Sequence, residues 1–257
     1  MSQAIMPAAF IGHGSPMNAI TETPFSAAWK AFAARIPKPS AILCISAHWY
    51  VAGVAVTAME RPPTIHDFYG FPRALHAVDY PAPGDPGLAG EIIKLLSPVA
   101  VKADESWGLD HGTWSILAHT HPQADVPVVQ LAIDASQPPA FHYELGARLA
   151  PLRERGVLIL GSGNIVHNLR MIGDIHAKYE WAERFDTYVR AALESGNSAA
   201  LIDYERHPDA ALAAPTPEHY LPLLYVAGLR QADDTLDFIV EGTDLASISM
   251  TAFTIGT

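Results

Sequence analysis

Short apolar runs alternating with longer amphipathic stretches predict an α/β fold: a single domain with a mainly parallel or mixed central sheet, helices on both faces and a C-terminal antiparallel hairpin. Three observations carry this reading. A chain of 257 residues, 49% apolar and 17% charged, has the composition of an ordinary globular protein and can bury a substantial core. The strand-like runs are apolar throughout, as strands covered on both faces must be. No repeat, low-complexity tract or linker interrupts the alternation, so the whole of residues 1–257 reads as one domain.

Residues 6–12, 41–47, 53–58, 126–133 and 157–161 read as buried strands, each short, apolar and closed by Gly, Ser, His or Asp. Residues 24–36, 86–96, 111–119, 139–155, 179–195 and 218–229 read as helices. The tail changes period: residues 235–241 and 247–254 alternate apolar with polar side chains, the pattern of a terminal hairpin. Residues 61–86 hold Pro62, Pro63, Pro72, Pro81, Pro83 and Pro86, but also Phe68, Tyr69, Phe71 and Tyr80. That segment is too aromatic for a flexible spacer, and a packed, functional loop over the sheet edge is expected.

Lys and Arg number 16 against 27 Asp and Glu, a formal charge of −11. An acidic chain without basic clusters is a poor partner for nucleic acid or for anionic membrane, which leaves a small molecule as the expected partner. No apolar run approaches the roughly 18 residues that span a bilayer. The first ten residues carry no basic leader, and the single Cys44 fits a reducing compartment; a cytoplasmic location is expected. Cys44 lies within a strand without a basic neighbour, so it belongs to the core.

The unusual feature is 12 histidines. Ligands bind open α/β sheets beyond the carboxyl ends of the strands. His13, His48, His111 and His167 fall at or shortly after such positions or at a helix start, within Gly12-His13-Gly14-Ser15, Ser46-Ala47-His48-Trp49, Asp110-His111-Gly112 and Gly163-Asn164-Ile165-Val166-His167. Two or three imidazoles converging on one crevice suit a first-row divalent metal. The glycines beside His13, and Gly161 and Gly163 ahead of His167, are expected to let an ion or substrate approach the backbone. Asn164 and Asn168 are expected to fix imidazole tautomers. His119 and His121 close a helix and read as structural; His76, His142, His176 and His207 lie in polar stretches and read as solvated.

The ordered set G-H-G-S-P-M-N, S-A-H-W, P-P-T-I-H-D-F-Y-G-F-P, G-L-D-H-G-T-W, G-S-G-N-I-V-H-N-L and P-T-P-E-H-Y-L-P-L-L-Y spans residues 12–225. It resembles the class III extradiol ring-cleaving dioxygenases, and within them the DOPA 4,5-dioxygenase subfamily. The resemblance implies that His13, His48 and His219 hold a non-haem metal, Fe(II) for activity with Zn(II) able to replace it. Better-known members of the class place a glutamate where His219 stands, so Glu218 is the alternative third ligand. His167 takes the family's acid–base position and can also reach the metal; His111 resembles the second acid–base histidine. Ser15, His66, Asp67 and Tyr69 are expected to contact substrate, with a turn role open for Ser15. The implied substrates are a catechol and O2, and the product a muconic-semialdehyde type. A zinc hydrolase, or a non-catalytic metal- or ligand-binding module on the same fold, remains the alternative.

Overall fold

The computed structural model describes residues 5–174 and 177–256. In chain order the elements are β1 (Ala8–Gly12), α1 (Pro24–Arg35), β2 (Ala41–Val51), β3 (Val54–Thr57), α2 (Arg73–His76), α3 (Pro86–Leu95), β4 (Val101–Asp104), α4 (His111–Thr120), β5 (Val128–Asp134), α5 (Pro139–Leu149) and β6 (Val157–Gly163). There follow α6 (Glu180–Glu194), α7 (Ser198–Ile202), α8 (Ala210–Ala213), α9 (Leu221–Gly228), β7 (Leu236–Val240), β8 (Thr243–Asp244), β9 (Ile248–Ser249) and β10 (Ala252–Ile255).

Eight strands form one mixed sheet in the order β4-β3-β5-β2-β6-β1-β10-β7, and β8 and β9 pair separately. The centre is parallel: β6 lies between β1 and β2, and β2 pairs on its other side with β5. The C-terminal strands β10 and β7 add antiparallel to β1, as the alternating tail requires. Alternate residues of each central strand feed two cores. Phe10, Leu43, Ile45, Leu131 and Ile159 pack toward α3, α5, α6 and α9. Ile11, Ile42, Cys44, Val128 and Leu160 pack toward Trp29 and Phe32 of α1 and Trp114 of α4. This two-sided burial is why the central strands are apolar over most of their length rather than alternating. Among the described residues no helix is long and apolar enough to cross a membrane.

The structure adds the short elements α2, α7, α8 and β8 to those expected and departs from the sequence-based elements in further places. Strand β4 was not expected: Val-Lys-Ala-Asp is an edge strand with Lys102 and Ala103 exposed, so it lacks an apolar signature. Strand β2 runs four residues past Ala47, because its register on β5 shifts between Ile45 and Tyr50 and pairing then resumes. The stretch 139–155 divides at Leu149 into α5 and a 3₁₀ turn, where Pro151 supplies no N–H to continue the helical ladder. Residues 218–220 form a turn before α9, because the His219 carbonyl accepts from Asn164 N–H at 2.8 Å instead of from its own helix.

Segment 61–86 packs as expected of an aromatic loop: Phe68, Leu75, Tyr80 and Ala82 join the core beneath α4. His76 is exposed and His207 half-buried, and His176 lies outside the described residues. His142 corrects its expectation. It is fully buried on α5, its Nδ1 3.0 Å from the Tyr225 hydroxyl of α9, because α5 packs closely on α9 where Gly146 and Gly228 leave no room for side chains.

Burial lowers the His142 pKa to about 4. An unfolded imidazole takes its proton near pH 6.5, so the unfolded state binds more protons between those values and stability falls as pH drops through that window. Replacing His142 with Gln should remove about 1–2 kcal/mol of the loss that wild type shows between pH 7 and pH 5. Urea unfolding of both proteins at the two pH values measures it; equal losses would show that His142 does not titrate on unfolding.

Candidate metal and catalytic site

The carboxyl ends of β1, β2 and β6 lie side by side, and each delivers or supports a histidine. His13 follows β1 directly, its N–H donating to the Gly163 carbonyl at 3.1 Å. His48 sits inside the stretch of β2 where the register shifts. His111 is the first residue of α4, whose N-terminus is capped by the Asp110 carboxylate accepting from Thr113 N–H. Asp110 is fully buried and also accepts from the Ser46 hydroxyl at 2.7 Å and the Gln130 amide at 2.6 Å, tying α4 to β2 and β5. His167 is held by its N–H to the Ala213 carbonyl at 2.7 Å and by an antiparallel bridge to Ile248.

The glycines serve a different purpose from the one their positions suggested. A Cβ at Gly163 would overlap the His219 carbonyl, and one at Gly161 would come within 2.7 Å of the Pro222 carbonyl. They make room for the turn that carries His219, not for an ion or substrate. Gly12 packs on the Ser249–Met250 backbone, and Gly14, at φ +61°, lies against the Met250 sulfur. Asn164 and Asn168 also serve the backbone: their amides donate to the carbonyls of Ser249 and Leu212 at 2.7 and 2.8 Å, and neither holds an imidazole.

His13, His48 and His219 offer donor atoms that all lie within 4.8 Å of one another. Their protons are accounted for elsewhere. Ser162 donates its hydroxyl proton to the Gly112 carbonyl at 2.6 Å, so its oxygen accepts from His13 Nδ1–H at 2.9 Å. His48 Nδ1 meets Asp67 at 3.0 Å, and His219 Nδ1 meets Glu218 at 3.3 Å. Carboxylates only accept, so these nitrogens carry the protons. With the rings neutral, as metal binding requires, the Nε2 atoms of His13 and His48 are two lone pairs 3.2 Å apart, and His219 Nε2 is buried without a hydrogen-bond partner. Facing lone pairs repel unless a cation lies between them. Donors each about 2.1 Å from one ion sit at this spacing, so the residues fit a divalent metal. Two further carboxylate-containing groups, His48–Asp67–His111 and His167–Glu218–His219, are already explained by hydrogen bonds or stacking within the protein.

Burial, then the neighbouring imidazoles, pushes the His13 and His219 pKa values well below the ordinary range. His167 stacks on the His219 ring at 3.4 Å and is held to about 4, by burial first and then by His48. His111 is lowered too, burial outweighing the Asp67 carboxylate. Burial opposes charge on His48 as well, but Asp67, Asp110 and Glu218 together raise it. A mainly neutral imidazole cluster is the form that ligates metal and accepts protons.

The remaining expected residues separate. Asp67 joins the cluster, on His48 and His111. Ser15 caps the turn that follows it, accepting from Met17 N–H at 3.3 Å. His66 packs within its loop, Nε2 on the Val78 carbonyl at 2.9 Å, and Tyr69 is 94% exposed. The structure does not bring Ser15, His66 or Tyr69 into hydrogen-bond contact with the cluster. His119 is buried with Nε2 on the Asn18 carbonyl, a structural position as its place at a helix end suggested. Sequence reasoning missed Ser162, Gly112 and Gln130, and took Asp110 only as a cap.

Imidazole nitrogens gathered at the carboxyl edge of a parallel sheet, with more histidines beside them, define an α/β protein with a donor set for one divalent ion. Residues 8–253 match the family model described as the catalytic LigB subunit of aromatic ring-opening dioxygenase. The chain belongs to that family and is an extradiol ring-cleaving dioxygenase. It is 47% identical to a protein of Escherichia coli (strain K12) named 4,5-DOPA dioxygenase extradiol, over 100% of this chain and 97% of that one. A protein of the same name from Beta vulgaris is 38% identical, covering 91% of each. A crystal structure of an uncharacterized protein from Escherichia coli K12 superposes with a TM-score of 0.85 at 42% identity, covering 97% of this chain and 99% of the other.

A Cβ on Gly112 would stand 2.5 Å from Ser46 Oγ and 2.9 Å from the His48 ring. Gly112→Ala should therefore cost about 1–3 kcal/mol of stability by overpacking and weaken metal binding by displacing His48. Thermal unfolding and metal titration measure the two effects. Wild-type metal affinity in the variant would show that this contact does not position His48.

Proposed function

We propose that this chain opens the ring of a catechol with O2 beside its two hydroxyls, giving a muconic-semialdehyde-type product, with Fe(II) held by His13, His48 and His219. DOPA-like catechols are the substrate class, since relatives covering nearly the whole chain are named for DOPA; the product would then be 4,5-seco-DOPA. The observation that carries the metal assignment is the pair of facing Nε2 atoms 3.2 Å apart, beside an unpartnered His219 Nε2. His219 is preferred over Glu218 because the Glu218 carboxylate is engaged with the Thr216 hydroxyl at 2.7 Å and with His219 itself.

When bound, a ferrous ion supplies the electron transfer that lets triplet dioxygen react with a closed-shell catechol. The protein does the rest. Ser162, Asp67 and Glu218 hold the three Nδ1 protons and so turn three Nε2 lone pairs to one point. His167, unprotonated at neutral pH, takes a proton from a catechol hydroxyl as the ring binds. His111, its Nδ1–H donating to Asp67, keeps an unprotonated Nε2 that would accept a proton, such as the one His167 removes from the catechol, and return it in a later proton transfer. Zn(II) satisfies the same nitrogens but has no redox step, so it occupies the site without turnover. The charge of −11 favours neutral or zwitterionic catechols over strongly anionic ones.

His167→Gln should leave iron stoichiometry near wild type while kcat falls about 10²–10⁴-fold, whereas His13→Ala should lose the metal. Metal analysis beside steady-state kinetics separates the two; equal metal loss would make His167 a ligand.

Oxygen-electrode assays of anaerobically loaded ferrous protein with DOPA should show one O2 consumed per catechol and a yellow product, and none under anaerobic conditions. Conversion without oxygen would favour a metal hydrolase on the same nitrogens.

A further inference from the structure

We infer that Asp67 is a positioning residue that fixes His48 and His111 in one tautomer and so ties the metal ligand to the acid–base histidine. This rests on the proposed roles of those two histidines. Oδ1 of Asp67 accepts from both the backbone N–H and the Nδ1–H of His111, at 3.0 and 2.9 Å. Oδ2 accepts from His48 Nδ1–H at 3.0 Å. The two rings lie 3.9 Å apart between centroids. An ionised carboxylate has acceptors only, so it admits protons at both Nδ1 positions and leaves both Nε2 atoms bare. One side chain therefore decides where two rings carry their protons.

Asp67 is held in place to do this. The preceding His66 is anchored on the Val78 carbonyl, and the following Phe68 is buried with its ring edge-on to His111. The His111 N–H that Asp67 accepts is one of the donors a helix start leaves without an internal partner, so the carboxylate also docks the loop onto α4.

An amide at this position cannot replace the carboxylate. Asparagine has one acceptor oxygen and a donating NH2. Turning its NH2 toward His111 would set donor against two donors, so the oxygen stays there and the NH2 faces His48 Nδ1. That nitrogen must then accept, and the His48 proton moves to Nε2, the atom needed by the metal. Asp67→Asn should thus disturb His48 selectively, although His111 is the residue with more bonds to the carboxylate.

The test uses metal-free protein and needs no catechol or oxygen, so it stands apart from the dioxygenase assay. Nitrogen-15 NMR of the imidazoles at neutral pH should show Nδ1–H at His48 and His111 in wild type. In Asp67→Asn, His48 should become Nε2–H while His111 stays Nδ1–H. Zinc affinity, read by competition with a chromophoric chelator, should fall about 10–100-fold in Asp67→Asn and hardly change in His111→Phe. Asp67→Glu keeps two acceptor oxygens and should keep both Nδ1–H tautomers, which covers the case in which the asparagine variant does not fold. His48 remaining Nδ1–H in Asp67→Asn, loss of either Nδ1–H tautomer in Asp67→Glu, or equal zinc loss in His111→Phe would overturn the assignment.

Discussion

Several imidazoles cannot share one buried crevice unless nearly all of them are uncharged and each N–H has an acceptor. The site is organised around that constraint. His13, His219, His167 and His111 are all driven toward the neutral form by lost hydration, and the imidazoles of the cluster reinforce this mutually. Neutral rings still carry one proton each, and a buried unpaired N–H costs about 1–3 kcal/mol. Ser162, Asp67 and Glu218 each take such a proton at Nδ1. Once those bonds are made, the bare Nε2 atoms have nowhere to point but into the crevice. The proposed metal affinity is a consequence of how the protein disposes of its own protons.

The sheet makes the convergence possible. Parallel β1, β6 and β2 end together, so residues 149 positions apart, such as His13 and Ser162, are hydrogen-bonded. Both layers of helices contribute. The α4 start brings His111 from one face, and the turn before α9 brings His219 from the other. The buried Asp110, bonded to Ser46 and Gln130, locks the first of these approaches. Glycines at 112, 161 and 163 permit both, because any side chain there would strike the backbone or an imidazole.

The same arrangement separates two chemical tasks. Rings whose Nδ1–H groups are held by acceptors turn their Nε2 atoms into the crevice, while His167 is oriented by stacking on His219 and by backbone bonds. A ring held by stacking keeps its nitrogens available for a transferred proton. Its lowered pKa makes it unprotonated before substrate arrives, and a partner oxyanion developing on the ligand would stabilise its protonated form.

The local sequence determined the fold class and the antiparallel tail, and it singled out His13, His48, His111 and His167, while His219 was named only through the family resemblance. The apolar run closed by Gly-His announces the end of β1, whereas Ala-His marks the register shift within β2; the carboxyl edge of an α/β sheet is where ligands bind. It also told His119 apart as a helix-end residue. Tertiary structure decided what the histidines do with their protons, because every relevant acceptor is remote in sequence or, like Glu218, adjacent but ambiguous. Asp67 read as a substrate-loop residue until its carboxylate was seen on both His48 and His111. The glycines read as room for a ligand, but proved to be room for the protein's own backbone. His142 read as solvated from its polar neighbours, and was buried by the packing of α5 on α9. Periodicity reports which face of an element is apolar; hydrogen bonding and close approach between segments depend on where the folded chain places distant residues.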